Sequence, residues 1–319
     1  MSIKGILQYT EQKNAKIFPW LRLLRVPNLL TVPGDPVAGY LLVAAVTDVG
    51  FSWSLVCAAG ASVCLYCFGL VLNDMVDLKV DLCERPERPL PSGEISFNSA
   101  RGVAVAFALS GLNLALFAGG AVFYAATALS AFILLYNAGL KNVRFFGTVV
   151  MGLCRGGSFM LGVFAALSSP HRIIGMEGLP ALTGFAAITL TFIGITAIAR
   201  HEMDAEKSMG FQRMFPFAAL LITLPGLAVV LSMLDCLMQP AATVYVFLMV
   251  MTLMRAWFLG GVLYRTQAVP LTVGGHIRNH LMLQACLCSA AGTAGFLPAL
   301  ILVAASQAFA LLSKQFYSS

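Results

Sequence analysis

The chain has 319 residues, of which 59% are hydrophobic and only 11% are charged, and its mean hydropathy is +0.85. Soluble domains carry about 25% charged residues, so this composition excludes an ordinary soluble protein and is typical of an integral membrane protein. The net charge of +6 then indicates the lysine and arginine excess of cytoplasmic loops, and no nucleic-acid partner is expected.

The first 25 residues mix basic and apolar side chains. They lack the isolated apolar core of a signal peptide, so we expect residues 1–25 to lie in the cytoplasm or along the cytoplasmic interface. Apolar runs follow, each near the ~20 residues that a helix needs to cross a bilayer. They predict an all-α polytopic membrane protein of about nine transmembrane helices, folded as a single domain over residues 1–319. The predicted spans are 27–47, 52–73, 98–117, 119–138, 146–167, 180–199, 214–234, 240–262 and 281–310, with a kink expected at Pro298.

Positively charged residues are distributed unevenly between the loops. Arg22 and Arg25 precede the first span, Arg85 and Arg88 follow the second, and Lys141 follows the fourth. Because lysine and arginine mark cytoplasmic loops, the N-terminus and these loops are predicted to face the cytoplasm.

An acidic cluster follows the second span. The stretch "NDMVDLKVDLCERPERPLPSGEIS", residues 73–96, holds six of the chain's 14 acidic residues. On a helix, Asn73, Asp77 and Asp81 fall within about 80° of one another. Like charges so close repel each other, so a cation is expected between them. Oxygen ligands without histidine or cysteine suit Mg²⁺ or Ca²⁺, and Mg²⁺ commonly takes phosphate oxygens as further ligands.

A second acidic cluster, "RHEMDAEKSMG" (200–210), follows the sixth span. Its Glu202 and Glu206 are four residues apart and share one helix face. Solvated loop charges are the alternative interpretation of both clusters. The repeated one-face spacing, each time at the inner end of a span, favours a site that binds a metal ion and a phosphate group.

Basic residues stand close to both clusters. Arg85 and Arg88 alternate with prolines in "ERPERPLPSG", and a stiff loop that presents two guanidinium groups suits phosphate oxygens. Lys141 and Lys207 are further candidates for phosphate binding. The alternative for each is a charge that only sets membrane topology.

Four stretches together resemble the UbiA superfamily of intramembrane prenyltransferases. "NDMVDLKVD" followed by "RPERPLPSGEIS" resembles the first aspartate-rich motif and its adjoining loop. "EMDAEKSMG" (202–210) resembles the second motif, with glutamate at both positions where the family has aspartate. "YNAGLK" (136–141) is similar to the Tyr-x-x-x-x-Lys element, and "RLLRVPNLLTVPGDPVAGYLL" (22–42) to the first helix, with Asn28 at the usual polar position.

The resemblance implies a helical bundle around a central cavity, Mg²⁺ as cofactor and a prenyl diphosphate as donor. It implies that a cation-rich site stabilises the departing diphosphate. By this carry-over the metal ligands are Asn73, Asp77, Asp81, Glu202 and Glu206, the catalytic residues are Asn73, Asp77, Asp81 and Lys141, and the substrate contacts are Asn28, Arg85, Arg88, Tyr136 and Lys207.

The implied reaction is Mg²⁺-dependent transfer of a prenyl group, within the membrane, to an aromatic or hydroxyl acceptor of lipophilic character. The acceptor stays open. Arg155 in "MGLCRGGSFMLG" and "ARHE" (199–202) resemble a bacterial EboC-like branch, and 4-hydroxybenzoate is another candidate acceptor. We expect the bacterial inner membrane as the location, and the lysine and arginine distribution predicts that the site faces the cytoplasm. A non-catalytic family member and a transporter or export component that binds a prenyl or anionic lipid are the alternative functions.

Overall fold

A computed structural model of the protein describes residues 17–47, 49–167, 175, 178–200, 211–266 and 268–317. Every regular element in these ranges is a helix, which confirms the all-α prediction. Two short 3-10 helices, Leu140–Asn142 and Phe211–Met214, accompany the α-helices. In chain order the α-helices are α1 (17–23), α2 (Val26–Leu29), α3 (Gly34–Thr47), α4 (Trp53–Val76), α5 (Leu78–Glu84), α6 (Phe97–Ala118), α7 (Gly120–Asn137), α8 (Arg144–Ala166), α9 (Leu179–Arg200), α10 (Phe215–Met233), α11 (Ala241–Thr266), α12 (Val269–Ser289) and α13 (Thr293–Tyr317).

Within these described ranges, nine segments are long and apolar enough to cross a membrane, which confirms the predicted number. The first, Val26–Thr47, combines α2 and α3. The others correspond to α4, α6 to α11 and α13. The protein is therefore a multi-pass integral membrane protein.

The bounds of the last predicted span are wrong. Residues 281–289 belong to α12, and the chain turns at Gly292, whose φ of 68° suits a residue without a side chain, before α13 begins. Pro298 lies inside α13. The sequence hides α12 because polar residues interrupt its apolar pattern, and they are tolerated because all residues from Asn279 to Ser289 are buried in the protein.

Two hydrophobic cores lie side by side in the bundle. One is built mainly from α3 and from α8 to α13, and the other mainly from α4, α6 and α7. Helix α8 belongs to both, since Phe159 packs in the first core and Leu161 in the second. Close contact of α8 with α3 requires glycine, because a Cβ on Gly162 would overlap the carbonyl oxygen of Pro36.

The first span is interrupted between α2 and α3, at residues 30–33. A break in a membrane helix frees backbone groups, which must find partners inside the protein because lipid offers none. The carbonyl oxygen of Thr31 accepts hydrogen bonds from Arg155 at 3.0 Å and from Gln284 at 2.6 Å. The break is thus held in place by side chains of α8 and α12.

Candidate active site

A cavity of about 200 Å³ lies along the boundary of the two cores, between α4, α7 and α8. Helix α4 lines it with residues spaced three or one apart, which place them on one helix face. The α7 and α8 walls mix apolar and polar side chains, and Arg25 and Val32 complete the lining. The lining from α4 is Ser62, Leu65, Tyr66, Gly69, Leu70 and Asn73, and that from α7 and α8 is Leu129, Ile133, Tyr136, Asn137, Met151, Cys154, Arg155 and Ser158.

A lysine bridges two of the predicted ligands at the end of this cavity that Asn73 lines, which we call its mouth. The ammonium group of Lys141 donates to Asp77 Oδ1 at 2.5 Å and to Asn73 Oδ1 at 3.3 Å. Lys141 lies in the 3-10 helix between α7 and α8, and Arg200 at the end of α9 donates to its backbone carbonyl. The 3-10 helix and α9 therefore hold one cation in place against the end of α4.

The helical backbone pattern of the acidic motif continues across a small interruption. Helix α4 ends at Val76, but Asp77 N still donates to Asn73 O and Asp81 N to Asp77 O, both at 2.9 Å. The side chains then divide between different cations: Asn73 and Asp77 contact Lys141, whereas Asp81 contacts Arg88.

A second group of charges lies beside the first. Arg88 Nη1 donates to Asp81 Oδ2 at 2.7 Å and lies 4.0 Å from Asp74 Oδ1, while Arg25 Nη2 donates to Asp74 Oδ1 at 3.0 Å. Asp74 and Asp81 are almost completely buried. We call Asn73, Asp74, Asp77 and Asp81, with the cations Arg25, Arg88 and Lys141, the acidic rim.

The acidic rim fits a hard cation. Asn73 and Asp77 already direct an amide oxygen and a carboxylate oxygen at one positive group, the Lys141 ammonium, and such oxygens are the ligands that Mg²⁺ prefers. In the described part of the chain no three His, Cys, Asp or Glu side chains group into a metal site by themselves. The remaining predicted ligands Glu202 and Glu206, and the predicted phosphate contact Lys207, lie outside the described residues.

The other predicted substrate contacts are dispersed. Tyr136 lines the cavity near its mouth. Asn28 lies beside the side chain of Tyr66, which itself lines the cavity wall. Arg85 is exposed at the end of α5, and in the part of the chain that the structure describes it pairs with no carboxylate.

Sequence reasoning missed a cluster of buried polar residues deeper in the bundle. Asp35 on α3 contacts three side chains: Arg155 Nη2 at 2.9 Å, His280 Nε2 at 2.7 Å and Gln284 Nε2 at 2.6 Å. Asp35, His280 and Gln284 are at most 1% exposed, and Arg155 is 5% exposed. We call these four residues the inner cluster. The sequence does contain a sign of this cluster, because ionisable residues interrupt the apolar runs "TVPGDPVAG" and "MGLCRGGSF". An ionisable residue inside a membrane span indicates a functional site.

Comparison with known proteins identifies the family and the fold. Residues 36–284 match the model of the UbiA prenyltransferase family. The chain is 27% identical over 233 residues to the digeranylgeranylglyceryl phosphate synthase of Methanocaldococcus jannaschii, an alignment that covers 70% of this chain and 77% of that protein. Because the relatives found are digeranylgeranylglyceryl phosphate synthases, the comparison does not support the more specific prediction of the EboC-like branch.

Solved membrane structures share the architecture. One, described as digeranylgeranylglyceryl phosphate synthase in membranes, superposes with a TM-score of 0.62 at 19% identity, covering 88% of this chain and 99% of that one. A UbiA homologue from Archaeoglobus fulgidus superposes with a TM-score of 0.55 at 16% identity, covering 86% and 100%, and was determined with GPP and Mg²⁺ bound.

Proposed function

This chain belongs to the UbiA prenyltransferase family and is a prenyltransferase of the membrane, and we propose that it depends on Mg²⁺ and that its acceptor is a glyceryl phosphate lipid. The support comes from relatives named digeranylgeranylglyceryl phosphate synthase. That name describes a product with two prenyl groups, so the acceptor would be a glyceryl phosphate that already carries one prenyl chain through an ether bond and offers a free hydroxyl.

The observation that carries the proposal is the position of the acidic rim at the mouth of an apolar cavity. Asn73 belongs to both: it accepts from Lys141 and lines the cavity. A diphosphate bound at the rim would hold the first carbons of its prenyl group at the entrance of the apolar space. This is the arrangement that a reaction between a phosphate leaving group and a lipid requires.

The rim residues have distinct tasks in this reaction. Asn73 and Asp77 would hold Mg²⁺, which supplies charge neutralisation for the diphosphate oxygens. Lys141 and Arg88 now pair with carboxylates, and we expect them to exchange these partners for diphosphate oxygens when the donor binds. Positioned cations of this kind stabilise the negative charge that develops as the allylic C–O bond breaks.

The cavity wall serves the carbon side of the same step. The bond to the diphosphate breaks with its electron pair leaving on oxygen, and a new C–O bond forms from the acceptor hydroxyl, whose proton passes to the released diphosphate. Tyr66 and Tyr136 line the cavity, and aromatic faces attract a positive carbon centre. The apolar side chains of Leu129 and Ile133 exclude the water that would otherwise capture it.

We further place the protein in the plasma membrane with the acidic rim facing the cytoplasm. The support is the distribution of lysine and arginine, which concentrates at the N-terminus and in the loops on the side of the rim. A water-soluble diphosphate made in the cytoplasm would then reach the site without crossing the bilayer.

The test uses membranes that contain the full chain, Mg²⁺ and labelled geranylgeranyl diphosphate. Two acceptors are offered separately: geranylgeranylglyceryl phosphate and 4-hydroxybenzoate. We expect labelled product with the first only, and no product after EDTA treatment or with Asp77→Ala. Glu94→Ala is the matched control, because Glu94 is a carboxylate of the same loop region that pairs with Arg22 outside the rim.

Product with 4-hydroxybenzoate alone would show that the acceptor is aromatic and the proposal wrong. Mg²⁺-dependent donor binding without product from any acceptor would favour a non-catalytic carrier.

A further inference from the structure

Arg155 lies in the cavity wall at a depth that can be read from the helix register. The hydroxyls of Ser62 and Ser158 are 2.5 Å apart, and the Arg155 guanidinium lies 5.9 Å from the ring centroid of Tyr66. These two contacts show that α4 and α8 run antiparallel with fixed pairing. Tyr66 precedes Asn73 by seven residues, so at 1.5 Å per residue Arg155 lies about 10 Å further into the protein than the acidic rim.

The guanidinium group of Arg155 is only partly satisfied. Its Nη2 contacts Asp35 Oδ2 at 2.9 Å and the Thr31 carbonyl at 3.0 Å. Its Nε is enclosed by the protein, whereas its Nη1 is not enclosed and has no hydrogen-bond partner among the described residues. Since Asp35 balances the charge, what remains is the Nη1 N–H donor of a residue in the cavity wall. Leaving such a donor without an acceptor is unfavourable.

An apolar belt separates this donor from the rim. Leu70 on α4, Ile133 on α7 and Met151 on α8 line the cavity between the two levels. Polar groups return at the inner level, where Tyr66 and the Ser62–Ser158 pair accompany Arg155. The cavity is therefore polar at both ends and apolar between them, which does not match an occupant made of hydrocarbon alone.

The prenyl donor cannot satisfy the inner level, because its chain carries no oxygen beyond the diphosphate. The acceptor does carry oxygens. We infer that Arg155 donates a hydrogen bond to an uncharged oxygen of the acceptor and thereby selects acceptors that have such an oxygen deeper in the cavity than the donor diphosphate. This inference rests on the proposed function; for a glyceryl phosphate lipid with one prenyl chain, the oxygen is that of the existing ether.

The rest of the inner cluster keeps Arg155 in place for this contact. Asp35 fixes one end of the guanidinium, and His280 and Gln284 fix Asp35 from α12. Phe192 of α9 lies against the guanidinium at 4.8 Å from its ring centroid. A donor held on several sides needs little reorganisation when the acceptor arrives. Asp35 is a positioning residue in this scheme, whereas Arg155 contacts the acceptor.

The experiment compares two acceptors of equal length on the full chain in membranes with Mg²⁺. One is geranylgeranylglyceryl phosphate, and the other is its analogue with a methylene in place of the ether oxygen. With the wild-type chain we expect the analogue to show a KM about tenfold higher, as the loss of one hydrogen bond to a charged donor predicts. The KM for the prenyl diphosphate is expected to stay unchanged.

The variant Arg155→Met has an unbranched apolar side chain of similar length and lacks the N–H groups that donate hydrogen bonds. It should raise the KM for the ether acceptor and make the KM values of the two acceptors equal. In this variant neither acceptor can form the hydrogen bond, so the ether oxygen no longer matters. Arg155→Lys should keep part of the discrimination. Arg101→Met, which changes an arginine exposed near the start of α6, is the matched control and should discriminate like the wild type.

Equal KM values for both acceptors on the wild-type chain would overturn the inference and leave the proposed function standing. This comparison needs no variant, so it decides even where Arg155→Met fails to fold. The inference is also overturned where Arg155→Met raises both acceptor KM values by the same factor, because a purely structural role gives that result. Absence of product from both acceptors on the wild-type chain would overturn the proposed function and this inference together.

Discussion

At the end of α4, Asp77 keeps 31% of its side chain exposed and bonds a lysine from a short turn, whereas Asp35, inside the bundle, is fully buried and held by three side chains of two other helices. The partners at the rim are long side chains that approach from loops and helix ends. Those of Asp35 come from the middle of packed helices. The first arrangement lets a carboxylate exchange one cation for another, and the second does not.

The difference follows from solvent. Ion pairs that remain in contact with water contribute about 0–1 kcal/mol to stability, so they can open and close with little change in free energy. Removing one partner of a buried pair leaves an uncompensated charge and costs about 3–5 kcal/mol. We therefore expect substitutions at the exposed Asp77 of the rim to affect catalysis first, and substitutions in the inner cluster to affect stability first.

The largest effect on stability is expected for Asp35→Leu. It leaves the guanidinium of Arg155 buried without its counter-charge, which should lower the free energy of unfolding by about 3–5 kcal/mol. Thermal unfolding in detergent micelles measures it.

The double variant with Asp35→Leu and Arg155→Leu serves as its control. Because both charges are then absent, it should be more stable than Asp35→Leu alone. Equal instability of the single and double variants would show that Asp35 matters for packing and not for charge.

Asp77→Ala is expected to act on turnover instead. Loss of a group that positions charge at a reacting phosphate typically lowers kcat by about 100-fold or more, while the unfolding free energy should change by less than about 1 kcal/mol. Product formation and thermal unfolding, measured on one preparation, test both halves. A large loss of stability would remove the distinction between the two regions.

Arg88 offers an intermediate case, because its partner Asp81 is buried while Arg88 itself is a quarter exposed. Arg88→Gln should weaken donor binding about tenfold through the loss of a charge-assisted contact to phosphate. Arg88→Lys should retain part of the affinity but lose the forked geometry of the guanidinium. The KM for the prenyl diphosphate, measured for both variants, tests these expectations. Identical KM values for the lysine and glutamine variants would exclude a role for charge at this position.

The smallest effect is expected just outside the rim. Arg22 lies 3.5 Å from Glu94, and both side chains are partly exposed. Arg22→Gln should change the unfolding free energy by less than about 1 kcal/mol, and raising the salt concentration should shrink even that. A larger, salt-independent change would indicate that the hydrogen bond from Arg22 to the Glu87 carbonyl holds the loop.

The parts of the fold that sequence predicts well are those with a local cause. Eight of the nine predicted spans coincide with helices or helix pairs, because length and apolarity of a continuous segment decide whether it can cross a bilayer. The approach of Lys141 to Asn73 and Asp77 agrees with their spacing of four residues at the end of α4. The roles of these residues, with those of Glu202, Glu206 and Lys207, stay predictions.

The inner cluster has no local cause that a single sequence reveals. Asp35 and His280 are 245 residues apart, and their contact depends on how α3 packs against α12. Helix α12 itself escaped prediction because its polarity is explained only by its burial. Hydropathy judges a helix as if it faced lipid, and that assumption fails for a helix surrounded by protein.

The same polarity affects how the protein is made. Helix α12 carries Arg278, Asn279 and Gln284 along with two histidines, and a charged residue at the centre of a helix costs about 2.5–3.5 kcal/mol when the insertion machinery moves that helix into lipid. We expect α12 to insert poorly alone and to enter the bilayer together with α11 and α13, which pack on either side of it. Its partner Asp35 is synthesised long before it, so the carboxylate on α3 can pair with Arg155 of α8 first and gains the hydrogen bonds of His280 and Gln284 only when the last part of the chain is made. Truncation after Ser289 removes α13 and should leave a chain that the quality-control proteases of the membrane degrade.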